Sequence, residues 1–181
     1  MEDADFMLVK LGGPKLADFK DPIGVLNSCH RRIEHFIGIL ETLVASDAPI
    51  PLDVERRKVL ESSLNYFRNS APKHIADEDD SLFPRLKKAG VSAKLKVLAT
   101  QHEQISQLHA DLESVGLQWL SLPRLSPPTW EKLKDTVDAL STIYSEHIQI
   151  EEHDIFPAAA AFLSTQEMAK LGDEMSARRK D

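Results

Sequence analysis

Apolar residues recur along this chain at alternating three- and four-residue steps, the period of helices with one buried face, and no run alternates as a strand does. In the first such segment Ile23, Leu26, His30, Ile33, Ile37, Leu40 and Val44 fall on one stripe, so His30 sits within the seam. Ser46 to Pro51 breaks the pattern and predicts a loop, after which Asp53 is placed to cap a second helix. Its seam is Leu60, Leu64, Phe67, Ala71, His74, Glu78 and Leu82, and Pro72 predicts a kink or break one turn before His74. A third helix is expected from Ser92, after Gly90, with Leu95, Leu98, His102, Ile105, His109, Leu112, Gly116 and Trp119 inward. The proline-rich stretch Leu122 to Pro128 ends it. A fourth helix carries Leu133, Val137, Leu140, Tyr144, His147, Glu151 and Ile155, and Ser164-x-x-Glu167 is a capping box opening a short C-terminal helix.

Overlaying these seams exposes an internal repeat. His74-Ile75-x-x-Glu78-x-x-x-x-Phe83-Pro84 returns as His147-Ile148-x-x-Glu151-x-x-x-x-Phe156-Pro157, an offset of 73 (147 minus 74). The first helix maps on the third at an offset of 72, pairing Leu26 with Leu98, His30 with His102 and Ile33 with Ile105. Two related helical hairpins predict an all-α, antiparallel up-down four-helix bundle over residues 21–160. Residues 1–20, with Gly12-Gly13-Pro14, read as an irregular N-terminal arm, and 161–181 as a C-terminal helix packed on the bundle.

Each hairpin supplies one lone inward histidine and one His-x-x-x-Glu pair on a single helix face. Two carboxylates buried without cations would each cost several kcal/mol in desolvation, or be forced to protonate. Metal coordination removes that cost. Six donors from four helices exceed one closed tetrahedral site, so a pair of ions is expected, with Glu78 and Glu151 bridging and the imidazoles terminal. Imidazole with carboxylate suits iron, manganese or zinc.

The ordered set H, HxxxE, H, HxxxE, with Phe-Pro after each pair, closely resembles the hemerythrin-like (HHE cation-binding) family over about residues 21–160. The resemblance implies a four-helix bundle holding two iron ions without haem, used for oxygen binding, for sensing oxygen or iron, or for redox chemistry. Oxygen-carrying members have a further histidine four residues after the third-helix one, where this chain has Ser106. They also pair the fourth-helix histidine with an aspartate five residues on, where this chain has Glu151 at four. Both departures speak against a reversible oxygen carrier. Glu34, one turn after His30, is the candidate replacement ligand; its alternative is a boundary carboxylate pairing with Arg31 or Lys73.

His109 lies two turns, roughly 10 Å, from His102 and is expected behind the ligands or in the core. Tyr144, one turn before His147, is either a core aromatic or a hydroxyl turned toward the centre. His35, Glu103, Glu152 and His153 flank the seam, Cys29 reads as a buried apolar residue, and Asp77 to Asp80 as a solvated acidic face apart from Glu78.

The balance of 42% hydrophobic and 28% charged residues in 181 fits one globular domain. A net charge of −7 leaves no basic stripe for nucleic acid, and no apolar run suits a bilayer. The acidic start Met1-Glu2-Asp3-Ala4-Asp5 and the single Cys29 fit a cytoplasmic protein. Its expected partners are a small diatomic ligand or peroxide, either bound and sensed or, as the alternative, decomposed by redox turnover.

Overall fold

A computed structural model describes residues 14–180, so most of the expected N-terminal arm lies outside the described residues; 14–20 carry no helix. Helices α1 (Pro22–Val44), α2 (Val54–Asn69), α3 (Ala71–Ala76), α4 (Phe83–Lys88), α5 (Leu95–Ser121), α6 (Pro127–Ile150), α7 (Phe156–Phe162) and α8 (Thr165–Ala177) follow in order. No strand occurs among the described residues. Nor is any of their helices long and apolar enough to cross a membrane.

Local chemistry sets the boundaries. Asp21, Asp53, Ser126 and Ser164 each accept a bond from a backbone N–H in the first turn of the helix they precede, and the Ser164–Glu167 capping box forms in both directions. Pro72 starts α3 rather than interrupting α2, because its missing N–H is tolerated only in a first turn. Gly90, at φ 88°, closes α4, with the Val91 N–H on the Leu86 carbonyl. The third long helix begins at Leu95, not at Ser92, since the chain is still turning through 91–94.

Two π-helical turns interrupt the long helices, at Asp77–Leu82 between α3 and α4 and at Glu151–Ile155 between α6 and α7. They are counterparts in the repeat, and each contains one inward glutamate. Such wide turns recur at functional sites because they shift side chains off the α-helical register.

Helix α1 packs on α2 and α6, and α5 packs on the same two, while α8 lies against α1 and the first π-turn. The cross-helix pairs run in opposite order along the chain: His30 meets Glu151, Glu41 meets Ser141, and the Trp130 indole reaches the Ser46 carbonyl. One apolar cluster gathers Ile33, Leu60, Ile105, Trp119, Trp130 and Leu140; a second gathers Leu26, Leu82, Leu98, Ile155, Leu171 and Met175. On α1, His30 falls between Leu26 and Ile33; on α5, His102 falls between Leu98 and Ile105. The core is thus divided by one polar layer.

Candidate metal centre

That layer holds His30, His74, Glu78, His102, His147 and Glu151, none more than 3% exposed. They form two overlapping quartets. His30, His74, Glu78 and Glu151 make one; Glu78, His102, His147 and Glu151 make the other, and within each the donor atoms lie within 4.8 Å of one another. Both glutamates belong to both quartets, and each quartet takes its two histidines from one hairpin.

The atoms at the middle of this layer are poorly served by protein alone. Both ring nitrogens of His74, both oxygens of Glu78 and Oε1 of Glu151 are buried without a well-aligned hydrogen bond, although His74 Nε2 stands 3.3 Å from Glu78 Oε1. The His102 and His147 Nε2 atoms face each other at 3.1 Å, so one must donate to the other's lone pair. His30 Nε2 lies 3.0 Å from Glu151 Oε2, and His102 Nε2 lies 3.2 Å from Glu78 Oε2. Burial and then the charge of Glu151 drive the Glu78 carboxyl well above its ordinary range. Burial also opposes ionisation of Glu151, but bonds from His147 and His30 outweigh it and hold this carboxyl low. Burial, then neighbouring His30, push His74 far down; for His102 burial is outweighed by Asp79 and Glu78, which lift it to about 10. Left to themselves, the six groups divide protons unevenly and still leave lone pairs unused. Cations placed in the two quartets satisfy the same atoms without that division, so the donor set fits metal.

The outward nitrogens are held from behind. His30 Nδ1 meets Glu152 Oε1 at 2.9 Å and His102 Nδ1 meets Asp79 Oδ1 at 2.9 Å. Asp79 and Glu152 are counterparts (79 plus 73), each one residue past its hairpin's inward glutamate. His147 Nδ1 lies 3.1 Å from the Gln101 amide oxygen. The Phe-Pro pairs act in the same crossed sense: Phe83 stacks on His102 at 5.7 Å and Phe156 on His30 at 5.3 Å. Each hairpin therefore orients the other's lone histidine with one carboxylate and one aromatic ring.

Glu34 is not among the residues brought together. Its side chain is 45% exposed and pairs with Arg31 at 3.1 Å, the boundary alternative. The reason is helical geometry. Position i+4 lies about 40° past position i in an α-helix, and α1 stays α-helical there, whereas Glu78 and Glu151 stand in π-turns. Its repeat counterpart Ser106 donates to the His102 carbonyl.

The acidic run is not a solvated face throughout. Asp77 is fully buried between Arg178 at 3.0 Å and Arg179 at 2.6 Å, and Asp79 serves His102. The repeat was the signal for Asp79, since its counterpart Glu152 already flanked the seam. Tyr144 and His109 bond each other, hydroxyl to Nε2 at 2.9 Å, and burial holds His109 down to about 4 and therefore neutral. The Tyr144 ring stands edge-on to His147 at 6.5 Å. Cys29 is buried and its thiol is pushed up to about 11, first by burial. Glu103 and His153 are exposed, the latter on the Gln149 carbonyl, and His35 packs edge-on to Phe36.

A helical chain that buries two histidine–glutamate quartets in one polar layer belongs to the class of metal-binding helical proteins. Residues 21–159 match the hemerythrin HHE cation-binding domain, and the chain belongs to that family. It is also 28% identical over 174 residues to an uncharacterized protein of Haemophilus influenzae, covering 91% of this chain and 94% of that one.

Proposed function

We propose that this chain is a cytoplasmic di-iron protein without haem that binds or senses a small ligand: oxygen, nitric oxide, peroxide or iron itself. In this reading it is an antiparallel four-helix bundle of two pseudo-symmetric hairpins, as the opposed order of the cross-helix pairs supports. The observation that carries the reading is that Glu78 and Glu151 belong to both quartets. Two carboxylates shared by two pairs of imidazoles suit two divalent ions; manganese or zinc would accept the same donors, and the family resemblance favours iron. Bound iron would supply a reversible one-electron couple at each ion and coordination positions for an added ligand.

The chain's own residues define what reaches the centre. Phe83 and Phe156 stack on His102 and His30, and buried Leu26 and Ile33 flank His30 along α1, so the layer is walled by apolar surface. Four neutral imidazoles and two carboxylates only half-neutralise two divalent ions, which favours an anionic or polarisable small ligand. Glu152 and Asp79 hold His30 and His102 in the tautomer that presents Nε2 inward.

A second reading, redox turnover of peroxide, is favoured by the Tyr144–His109 pair. A buried phenol bonded to a neutral imidazole beside His147 could supply one of the two electrons that peroxide reduction consumes, its proton passing to His109 Nε2. One experiment separates the readings: metal analysis with optical spectra of anaerobically reduced and re-oxidised protein, then titration with azide, nitric oxide and peroxide. The proposal expects iron and a spectrum that these ligands perturb stoichiometrically. Catalytic loss of peroxide would make the protein an enzyme. Tightly held zinc with no spectral response would end both readings.

A further inference from the structure

Residues of α1, α2 and α3, among them the chain neighbours of His30 and His74, line a cleft of about 570 Å³ that contains none of the six metal-centre side chains. Its lining includes Arg32, Lys73 and Arg179, with Tyr66, Ser70 and Cys29. Every charged residue of that lining is cationic, in a chain of net charge −7. Arg32 lies over the Tyr66 ring at 5.5 Å, and among the described residues neither Arg32 nor Lys73 pairs with a carboxylate. Arg179 is only partly neutralised, because its partner Asp77 is shared with Arg178. Three cations line one cleft against the sign of the whole molecule, and Asp77 offsets only part of one of them, which leaves a local positive field.

A second observation falls on the same side. His30, His102 and His147 each have a partner at Nδ1, but the buried Nδ1 of His74 has none. For His147 the partner is Gln101; its counterpart (101 minus 72) is Cys29, whose side chain lines the cleft. The hydrogen-bond set of the centre is thus incomplete at His74, whose chain neighbour Lys73 lines the cleft.

We propose that this cleft is a binding site for a small dianion, a phosphoryl or polycarboxylate group carried by a molecule of metabolite size. Two guanidinia and an ammonium recognise such a group by charge-assisted bonds, the guanidinia in a planar fork and Lys73 as a point charge. Ser70 offers a neutral hydroxyl donor beside them, while the Tyr66 hydroxyl donates to the Cys29 carbonyl at 3.5 Å. The volume is that of a small-molecule pocket, larger than an inorganic ion needs. The residues preceding two metal-ligand candidates, Cys29 and Lys73, form part of the site, which places its occupant against the centre's outer side.

Calorimetric titration of the metal-loaded full chain with inorganic phosphate, pyrophosphate and citrate tests this, with Arg32→Gln, Lys73→Gln and the double variant alongside. Saturable binding by wild type is expected, weakened about tenfold by each substitution and about a hundredfold by both. Preference for phosphate or pyrophosphate identifies a phosphoryl ligand, and preference for citrate a polycarboxylate; either supports the site. Anions that instead ligate the metal would bind wild type and double variant alike. Equal affinities, or no saturable binding by wild type, would overturn the proposal.

Discussion

The decisive residues at the smallest scale are the pairs that aim the imidazoles. Asp79 and Glu152 touch no quartet atom on the inner side; each accepts from Nδ1 and so commits Nε2 to the centre. Asp79→Asn and Glu152→Gln should each lower metal affinity by about 10–100-fold in chelator competition. Asp80→Asn, on a residue that points to solvent, should change nothing. Affinity unchanged in Asp79→Asn would mean that packing against Phe83 alone orients His102. His109 makes a different prediction. Its folded value of about 4 lies below the ordinary 6.5, so the unfolded chain binds the extra proton. The stability that neutral His109 contributes is fully present above pH 6.5 and is lost as pH falls through about 4. Compared with His109→Gln in chelator, the wild-type unfolding free energy should drop by up to about 3 kcal/mol more between pH 7 and pH 4. Parallel curves would show that His109 is not held neutral.

Among the elements, the π-turns and α8 carry most of what separates this fold from four plain helices. The six inward donors were legible in sequence because they continue the apolar stripe, and the repeat made chance an unattractive explanation. The π-turns leave a fainter trace in the sequence: two successive four-residue steps, His74-Glu78-Leu82 and His147-Glu151-Ile155. A step of four twice running exceeds the α-helical period, and only a wider turn keeps all three residues inward. The role of α8 was hidden for another reason: which surface a short helix covers depends on tertiary contacts far along the chain. It brings Arg178 and Arg179 onto Asp77 and seats Gly172 on the chain before α1. A Cβ at Gly172 would stand 2.0 Å from the Phe19 carbonyl oxygen, a backbone atom with nowhere to go. Gly172→Ala should therefore destabilise the protein in urea by about 1–3 kcal/mol. Gly38→Ala, inside α1 with nothing within 4 Å, should stabilise it by about 0.5–1 kcal/mol. The reverse order would show that α8 is not docked as described.

At the scale of the whole molecule, the internal sequence repeat matches the make-up of the site. One hairpin buries a lone histidine and a histidine–glutamate pair and cannot satisfy them. Two hairpins face each other, exchange an aromatic and a carboxylate at each lone histidine, and put both glutamates between the two pairs. Glu34 shows the limit of reading such a plan from sequence alone: one turn from His30 is close along the chain, but only a wide turn at that place would have carried it inside. The central claim is that both ions depend on both glutamates, and metal stoichiometry per chain tests it most directly. Wild type and Glu34→Ala should hold two ions, His30→Ala or His102→Ala should weaken mainly one, and Glu78→Ala or Glu151→Ala should lose occupancy of both. Two ions retained in Glu78→Ala and Glu151→Ala, or loss of metal in Glu34→Ala, would contradict it.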